Sequence, residues 1–223
     1  MEPIISAKDL KKVYRVGKVE VPALRGVDLV VQEGEFVGVM GPSGCGKSTL
    51  LHILGGLTPP TSGHVCVDGN DFSIMNDSDR TRFRRHKIGF VFQRFNLLPT
   101  LTAWQNIAVA QDIQGDGFNP HRFEAIVTML GIKEKLGRRP YALSGGEQQR
   151  VAIARAVICE PKMLLADEPT GNLDTENSQM VLNMLRELNR SFRQTILMIT
   201  HNPEAAAVAD RVVRMRDGRV IYG

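Results

Sequence analysis

Apolar residues along the chain follow two rhythms. Runs at 88–92, 163–166 and 195–200 are continuously apolar, the pattern of strands buried on both faces of a parallel sheet. Runs at 4–10, 29–31, 36–40 and 65–67, the last closing on Asp68-Gly69, are flanked by glycines and read as strands joined by turns, several of them antiparallel. Helical spacing lies between them: 175–190 sets Val181, Leu182, Met184, Leu185 and Leu188 on one face behind Asp174 as N-cap, and 50–57 is an apolar helix. Strands alternating with helices predict an α/β core. From 93 to 144 the rhythm changes. Loop signals at Pro99, Gly115-Asp116-Gly117 and Pro120 bracket helical spacing at Phe123, Ile126, Val127 and Leu130, so a mostly helical insert is expected. The last segment, 212–215 and 220–222 around Asp217-Gly218, predicts a hairpin, with no further domain expected after it.

Composition changes this picture little. The 223 residues are 43% hydrophobic and 23% charged, which excludes disordered and collagenous classes. No run reaches the ~18 uncharged apolar residues of a membrane-spanning helix, and the start lacks the basic-then-apolar pattern of a secretory signal, so a cytoplasmic protein is expected. Cys45, Cys66 and Cys159, odd in number and scattered, suit a reducing compartment rather than a disulfide framework or metal site. A net charge of +4 allows an anionic partner such as nucleotide, nucleic acid or lipid headgroup.

The chemistry is concentrated in four places. Gly41-Pro42-Ser43-Gly44-Cys45-Gly46-Lys47-Ser48-Thr49, between the 36–40 strand and the next helix, has the spacing of a phosphate-binding loop. Its glycines let successive N–H groups turn inward, the helix N-terminus adds positive potential, Lys47 can reach the β- and γ-phosphates, and the Ser48 hydroxyl can take a place on Mg²⁺. The 163–166 strand delivers Asp167 and Glu168 at its carboxyl end, where open α/β sheets bind ligands. Asp167 suits a cation and Glu168 an attacking water; a plain acidic helix cap is the other reading. His201 closes another parallel run at the same edge, either as a structural histidine or as a γ-phosphate contact. Finally, Leu143-Ser144-Gly145-Gly146-Glu147-Gln148-Gln149-Arg150 opens a helix through Val157. Serine and two glycines make an anion site without a lysine. Besides an ordinary capped helix, its simplest use is to cover nucleotide bound on another copy of the chain.

Taken together, these residues resemble the nucleotide-binding subunit of an ATP-binding-cassette (ABC) transporter over essentially the whole length: P-loop, Q-loop Gln93, signature 143–150, Walker B through Glu168, D-loop Gly171-Asn172-Leu173-Asp174 and H-loop His201. The resemblance implies a P-loop α/β fold forming one domain over 1–223. Its RecA-like core and antiparallel β subdomain would span 1–93 and 159–223, and a helical subdomain 94–158. It implies ATP and Mg²⁺ as cofactors, the ion held by Ser48, Asp167 and Gln93, and catalysis by Glu168, His201 and Gln93. It also implies a homodimer in which Ser144, Gly145 and Gly146 of one copy reach nucleotide on the other, and an integral membrane permease on whose inner face the subunit sits. Tyr14, by its residues alone a strand core or edge position, matches the aromatic that stacks on adenine. Finer text at 51–57, Asn96-Leu97-Leu98-Pro99, 166–174 and 215–219 is similar to the LolD, MacB and FtsE group, LolD most of all. That implies a permease releasing lipoproteins or exporting peptides or drugs. An importer subunit, or an ABC ATPase acting on DNA or ribosomes, is the alternative; nucleic acid is not expected, since the basic residues lack interleaved aromatics.

Two departures from the family pattern stand out: Cys45, where serine is more usual and which implies sensitivity to thiol reagents, and Asn202 after His201, where aspartate is common. Two surface segments carry paired readings. Phe95, Leu97, Leu98 and Leu101 either form a groove for a permease helix or pack the insert. Arg80, Arg82, Arg84, Arg85, His86 and Lys87 either face anionic headgroups or form a solvated helix face.

Overall fold

The structure is a computed structural model describing residues 3–115 and 117–222; Met1 and Glu2 of the chain start, and Asp116 of the expected 115–117 loop, lie outside the described residues. Strands β1 (Ile5–Val16) and β2 (Val19–Val31) pair antiparallel, far beyond the short runs the apolar pattern marked. Their outer halves form a two-stranded ribbon whose Val16, Val19 and Val21 are exposed, so nothing there requires an apolar alternation. β4 (Ser62–Val67) pairs with the other side of β1, and Asp68-Gly69, both at positive φ, turns the chain into β5 (Asn70–Asp71). This gives an antiparallel sheet of order β2-β1-β4-β5.

The second sheet is built from β3 (Phe36–Met40), β6 (Ile88–Phe92), β7 (Met163–Asp167), β8 (Thr195–Thr200), β9 (Arg211–Arg216) and β10 (Arg219–Tyr222), in the order β10-β9-β3-β8-β7-β6. All are parallel except β10, which returns antiparallel through Asp217-Gly218. Alternate residues of its strands feed two apolar clusters. Val37, Val39, Leu165, Leu197 and Ile199 face the antiparallel sheet and helix α1 (Lys47–Leu54). Phe36, Leu164, Ala166, Ile196 and Met198 face the opposite layer. The continuous apolar runs therefore arise because both faces are covered.

That opposite layer holds α3 (Ala103–Gln114), α4 (Pro120–Met129), α5 (Gly145–Val157) and α6 (Thr175–Phe192), while α2 (Asp77–Lys87) precedes β6 and α7 (Pro203–Ala206) follows β8. On α6 the expected stripe is buried through Val181, Leu182, Leu185 and Leu188, each contributing about 1.5–3 kcal/mol, and Asp174 caps its start by accepting Asn177 N–H. α1 ends earlier than the apolar run suggested: Gly55 packs where a Cβ would lie 2.2 Å from the Phe90 ring, and Gly56 takes positive φ. α2 carries the basic run, and the solvated-face reading needs correcting for two of its arginines. Arg80 is buried and donates to Met75 O, and Arg84 donates to Gly56 O; Arg82 and Arg85 stay exposed.

The loop before α3 is fixed by one buried side chain. Asn106, fully buried, accepts Leu98 N–H at 2.7 Å and shares its amide hydrogens among the carbonyls of Leu98, Leu101 and Thr102. Replacing Asn106 by alanine is expected to lower the unfolding free energy by about 2–3 kcal/mol, since Leu98 N–H is stranded. Urea denaturation followed by circular dichroism reads this, and a loss under about 0.5 kcal/mol would mean that water replaces those bonds.

Candidate active site

The 41–46 loop joins β3 to α1. Gly46 is the α1 N-cap at φ 104°, where a Cβ would lie 2.5 Å from Ala23 O, so only glycine fits. No side chain caps this helix and its first turn holds no acid. Its amino end is thus left to whatever anion enters the cleft. The cleft, about 670 Å³, is lined by Pro42, Ser43, Gly44, Gly46, Lys47, Ser48 and Thr49 with Ala23 opposite, and by Gln93, Asp167, Glu168 and His201. Lys47, 6% exposed, folds back over the loop and donates to Gly41 O at 2.7 Å and Pro42 O at 3.0 Å. Gly41 lies beneath, against Met215 O and Cys45 Sγ. Cys45 is buried in the apolar core, which corrects the expected thiol sensitivity: its sulfur is shielded from solvent. Its carbonyl accepts Gly218 N–H at 3.0 Å while Gly218 O accepts Arg25 N–H at 2.8 Å, so the C-terminal turn staples the loop to β2.

The carboxylates come from the end of β7. Asp167 Oδ1 lies 3.5 Å from Ser48 Oγ. Burial, with the Glu168 charge adding to it, holds the Asp167 carboxyl above the usual carboxylate range, while His52, Ser48 and Lys47 pull against it. An acidic, oxygen-only donor set of this kind suits a hard divalent cation. Glu168 sits at φ 48°, a left-handed position that costs a non-glycine residue on the order of 1 kcal/mol and is fixed by Glu168 N–H to Ile199 O and Gly171 N–H to Glu168 O, each 3.0 Å. Its side chain meets His201 Nδ1, 2.9 Å from Oε1 and 2.8 Å from Oε2. Asn202 caps α7, its Oδ1 accepting Glu204 and Ala205 N–H, work an amide oxygen does as well as a carboxylate.

Gln93 follows β6 and is tied to the loop after Glu168. Its Nε2 donates to Asn172 Oδ1 at 3.3 Å and its carbonyl accepts Asn172 Nδ2 at 2.9 Å. The remaining expected residues lie elsewhere. Ser144, Gly145 and Gly146 start α5 beside α6 and Leu173 and do not line the cleft. Ser144 forms a capping box, its hydroxyl accepting Glu147 N–H at 3.2 Å while Glu147 accepts Ser144 N–H at 2.8 Å. Accepting leaves the hydroxyl proton to donate. Gly146 abuts Asn177 so closely that a Cβ would fall 2.0 Å from its Oδ1. Tyr14 is an edge rather than a core position, 39% exposed on the β1–β2 ribbon with Lys12 Nζ 5.2 Å from its ring centroid, and it does not line the cleft.

Sequence reasoning passed over Gln149 and Arg155. Gln149 is fully buried and donates to Pro169 O and Phe92 O; Arg155 donates to Phe95 O and Asn96 O. The signal was present for Gln149, a polar residue on the same stripe as Ile153 and Val157. For Arg155 there was none, because an arginine within a helix ordinarily means solvent.

Comparison with known proteins extends this geometry. The family model described as ABC transporter matches residues 24–171. The macrolide export ATP-binding/permease protein MacB of Syntrophobacter fumaroxidans is 48% identical over 96% of this chain and 31% of its own length. An uncharacterized ABC transporter ATP-binding protein of Thermotoga maritima is 46% identical over 99% of this chain and 94% of its own. The chain thus spans about a third of the MacB relatives it matches. The solved dimeric post-hydrolysis state of the ATP-binding cassette MJ0796, bound to ADP and Pi, superposes with a TM-score of 0.89 at 38% identity, covering 97% of this chain and 96% of that one.

Because the folded protein favours the protonated Asp167 carboxyl, this group's contribution to stability is greatest at low pH and declines as pH rises through its elevated pKa. In the absence of nucleotide, Asp167→Asn is therefore expected to melt about 2–4 °C above wild type at neutral pH, the gap closing on acidification. Calorimetry across pH checks this; an unchanged or lower melting temperature at neutral pH would refute a burial cost at Asp167.

Proposed function

Because the chain belongs to the ABC transporter family of ATP-binding subunits and is an ATPase, we propose that two copies close head to tail around two ATP molecules and that this closure drives a membrane permease. The observation that carries the reading is the separation of two anion sites on one chain. The cleft at 41–49 has a lysine and a helix end, while the Ser144-Gly145-Gly146 group offers a hydroxyl proton and helix N–H groups at a place its own cleft does not include. A second copy satisfies both.

In this reading, Lys47 leaves the carbonyls of Gly41 and Pro42 for the β- and γ-phosphates, which the loop amides cradle, and Tyr14 stacks on adenine. Ser48, Asp167 and Gln93 would hold Mg²⁺, whose chemistry there is neutralising charge on the phosphate oxygens. Glu168 takes the proton of the attacking water as that water's oxygen bonds to the γ-phosphorus and the bond to the β-γ bridging oxygen breaks, leaving ADP and phosphate. His201 keeps the Glu168 carboxylate oriented through Nδ1 and, lining the same cleft, would contact the γ-phosphate. Ser144 of one copy donates to the γ-phosphate held by the other. Residues 1–93 and 159–223 serve as the nucleotide-binding core with its antiparallel subdomain, and 94–158 as the helical subdomain that presents Ser144.

The permease contact is best supported not at 94–101, where Leu97 packs into the core, but beside it. A groove of about 400 Å³ between α2, β6, α3 and α5 has the stacked rings of Phe90 and Phe92 in its wall and Arg84, Arg85 and Ile113 at its margin. It suits an amphipathic helix from a permease of the LolD or MacB type, engaged in lipoprotein release or peptide or drug export, with the subunit on the inner face of the cell membrane. In the test, Glu168→Gln is expected to bind ATP and dimerise on it while hydrolysis falls about a hundredfold or more. Captured with ATP from solubilised native membranes, it should bring down a permease with a large extracytoplasmic domain. Wild-type turnover in this variant, or recovery of an importer-type permease or nucleic acid instead, would overturn the proposal.

A further inference from the structure

Gln149 is fully buried on α5, yet only half of its amide is satisfied. Nε2 lies 2.6 Å from Pro169 O and 3.4 Å from Phe92 O, and Oε1 is buried without a partner. An orphaned acceptor is a cost that a methionine of the same reach would not carry, so packing does not explain the glutamine. Its two acceptors do: Phe92 immediately precedes Gln93, and Pro169 immediately follows Glu168. Further along the helix, Arg155 donates through Nη1 to Asn96 O at 2.7 Å and through Nη2 to Phe95 O at 3.1 Å, in a position where burial disfavours its charge. The main chain carrying Gln93 is thus suspended from α5 on both sides, and the main chain leaving Glu168 is held by the same helix. The amino end of that helix is the Ser144-Gly145-Gly146 group.

We propose that α5 acts as a lever, with Gln149 and Arg155 as positioning residues that transmit displacement of its amino end to Gln93 and Glu168. The inference rests on the two-copy reading above and deepens it. When nucleotide on a second copy draws the start of α5 toward it, the helix moves as a rigid body. The carbonyls of Phe92, Phe95, Asn96 and Pro169 travel with it, which sets the two cleft residues only once the partner copy is in place. Without these tethers the helix start engages nucleotide as before while Gln93 and Glu168 stay where their own loops leave them.

The test is kinetic. Gln149→Met and Arg155→Met are expected to keep the KM for ATP within about twofold of wild type while kcat falls roughly tenfold to a hundredfold, the scale of a misplaced catalytic group. Arg155→Lys, which retains one donor, should recover part of that loss at unchanged KM, which a merely structural role would not produce. Should Gln149→Met fail to fold, Arg155→Met decides alone, its side chain being partly buried where that of Gln149 is fully so. Wild-type kcat in folded Arg155→Met, or kcat loss that simply tracks melting temperature across the variants, overturns the lever. Failure of the two-copy reading shows separately, as a Glu168→Gln protein that does not dimerise on ATP.

Discussion

Burial of the parallel strands on both faces is the constraint on which the rest depends. With one apolar cluster on each side of β3, β6, β7 and β8, these four strands release polar side chains only at their ends. Strand register then brings those ends together. Met40 pairs with Thr200, Asp167 with Ile199 and Phe92 with Asp167, so that the residues just past β3, β6, β7 and β8 emerge at one level. The 41–49 loop, the two carboxylates, His201 and Gln93 are neighbours because four strands stop on the same line.

Electrostatics at that edge is arranged for an arriving charge rather than for self-sufficiency. Lys47 is occupied with carbonyls of its own loop, the amino end of α1 is uncapped, and Asp167 is held in a setting that disfavours its anion. The last two are modest local costs that an anion at the α1 terminus and a positive charge beside Asp167 would relieve. Glu168 adds backbone strain, held in place by hydrogen bonds to Ile199 and Gly171. Local rules of stability are broken at the cleft and kept in the clusters beneath it, which is where a protein that performs chemistry is expected to break them.

Most of this was legible in the sequence wherever a residue type had a single physical use. The glycine spacing of 41–46 announces the tight turn into α1, which Gly46 makes at φ 104°, and the unbroken apolar run of β8 declares burial on both faces. What stayed hidden depended on contacts between distant segments. Arg80 and Arg84 read as solvent-facing until their carbonyl partners are known, and Cys45 read as reactive until the core closes over it. The outer halves of β1 and β2 carry no pattern because they bury little, so their pairing rests on main-chain hydrogen bonds that no side chain advertises.

The staple from Gly218 to Cys45 O and Arg25 N–H bears on how the protein is made. β9 pairs directly with β3, the strand that launches the 41–49 loop, and the turn after β9 fixes the loop's far side. Both segments lie late in the chain, while Lys47 and Ser48 lie early. On the ribosome, then, the 41–49 segment emerges well ahead of the β9 strand and the 217–218 turn that give it its shape. The loop can take its finished shape only after the 211–222 hairpin has left the exit tunnel, so a segment made early waits on a support made about 170 residues later.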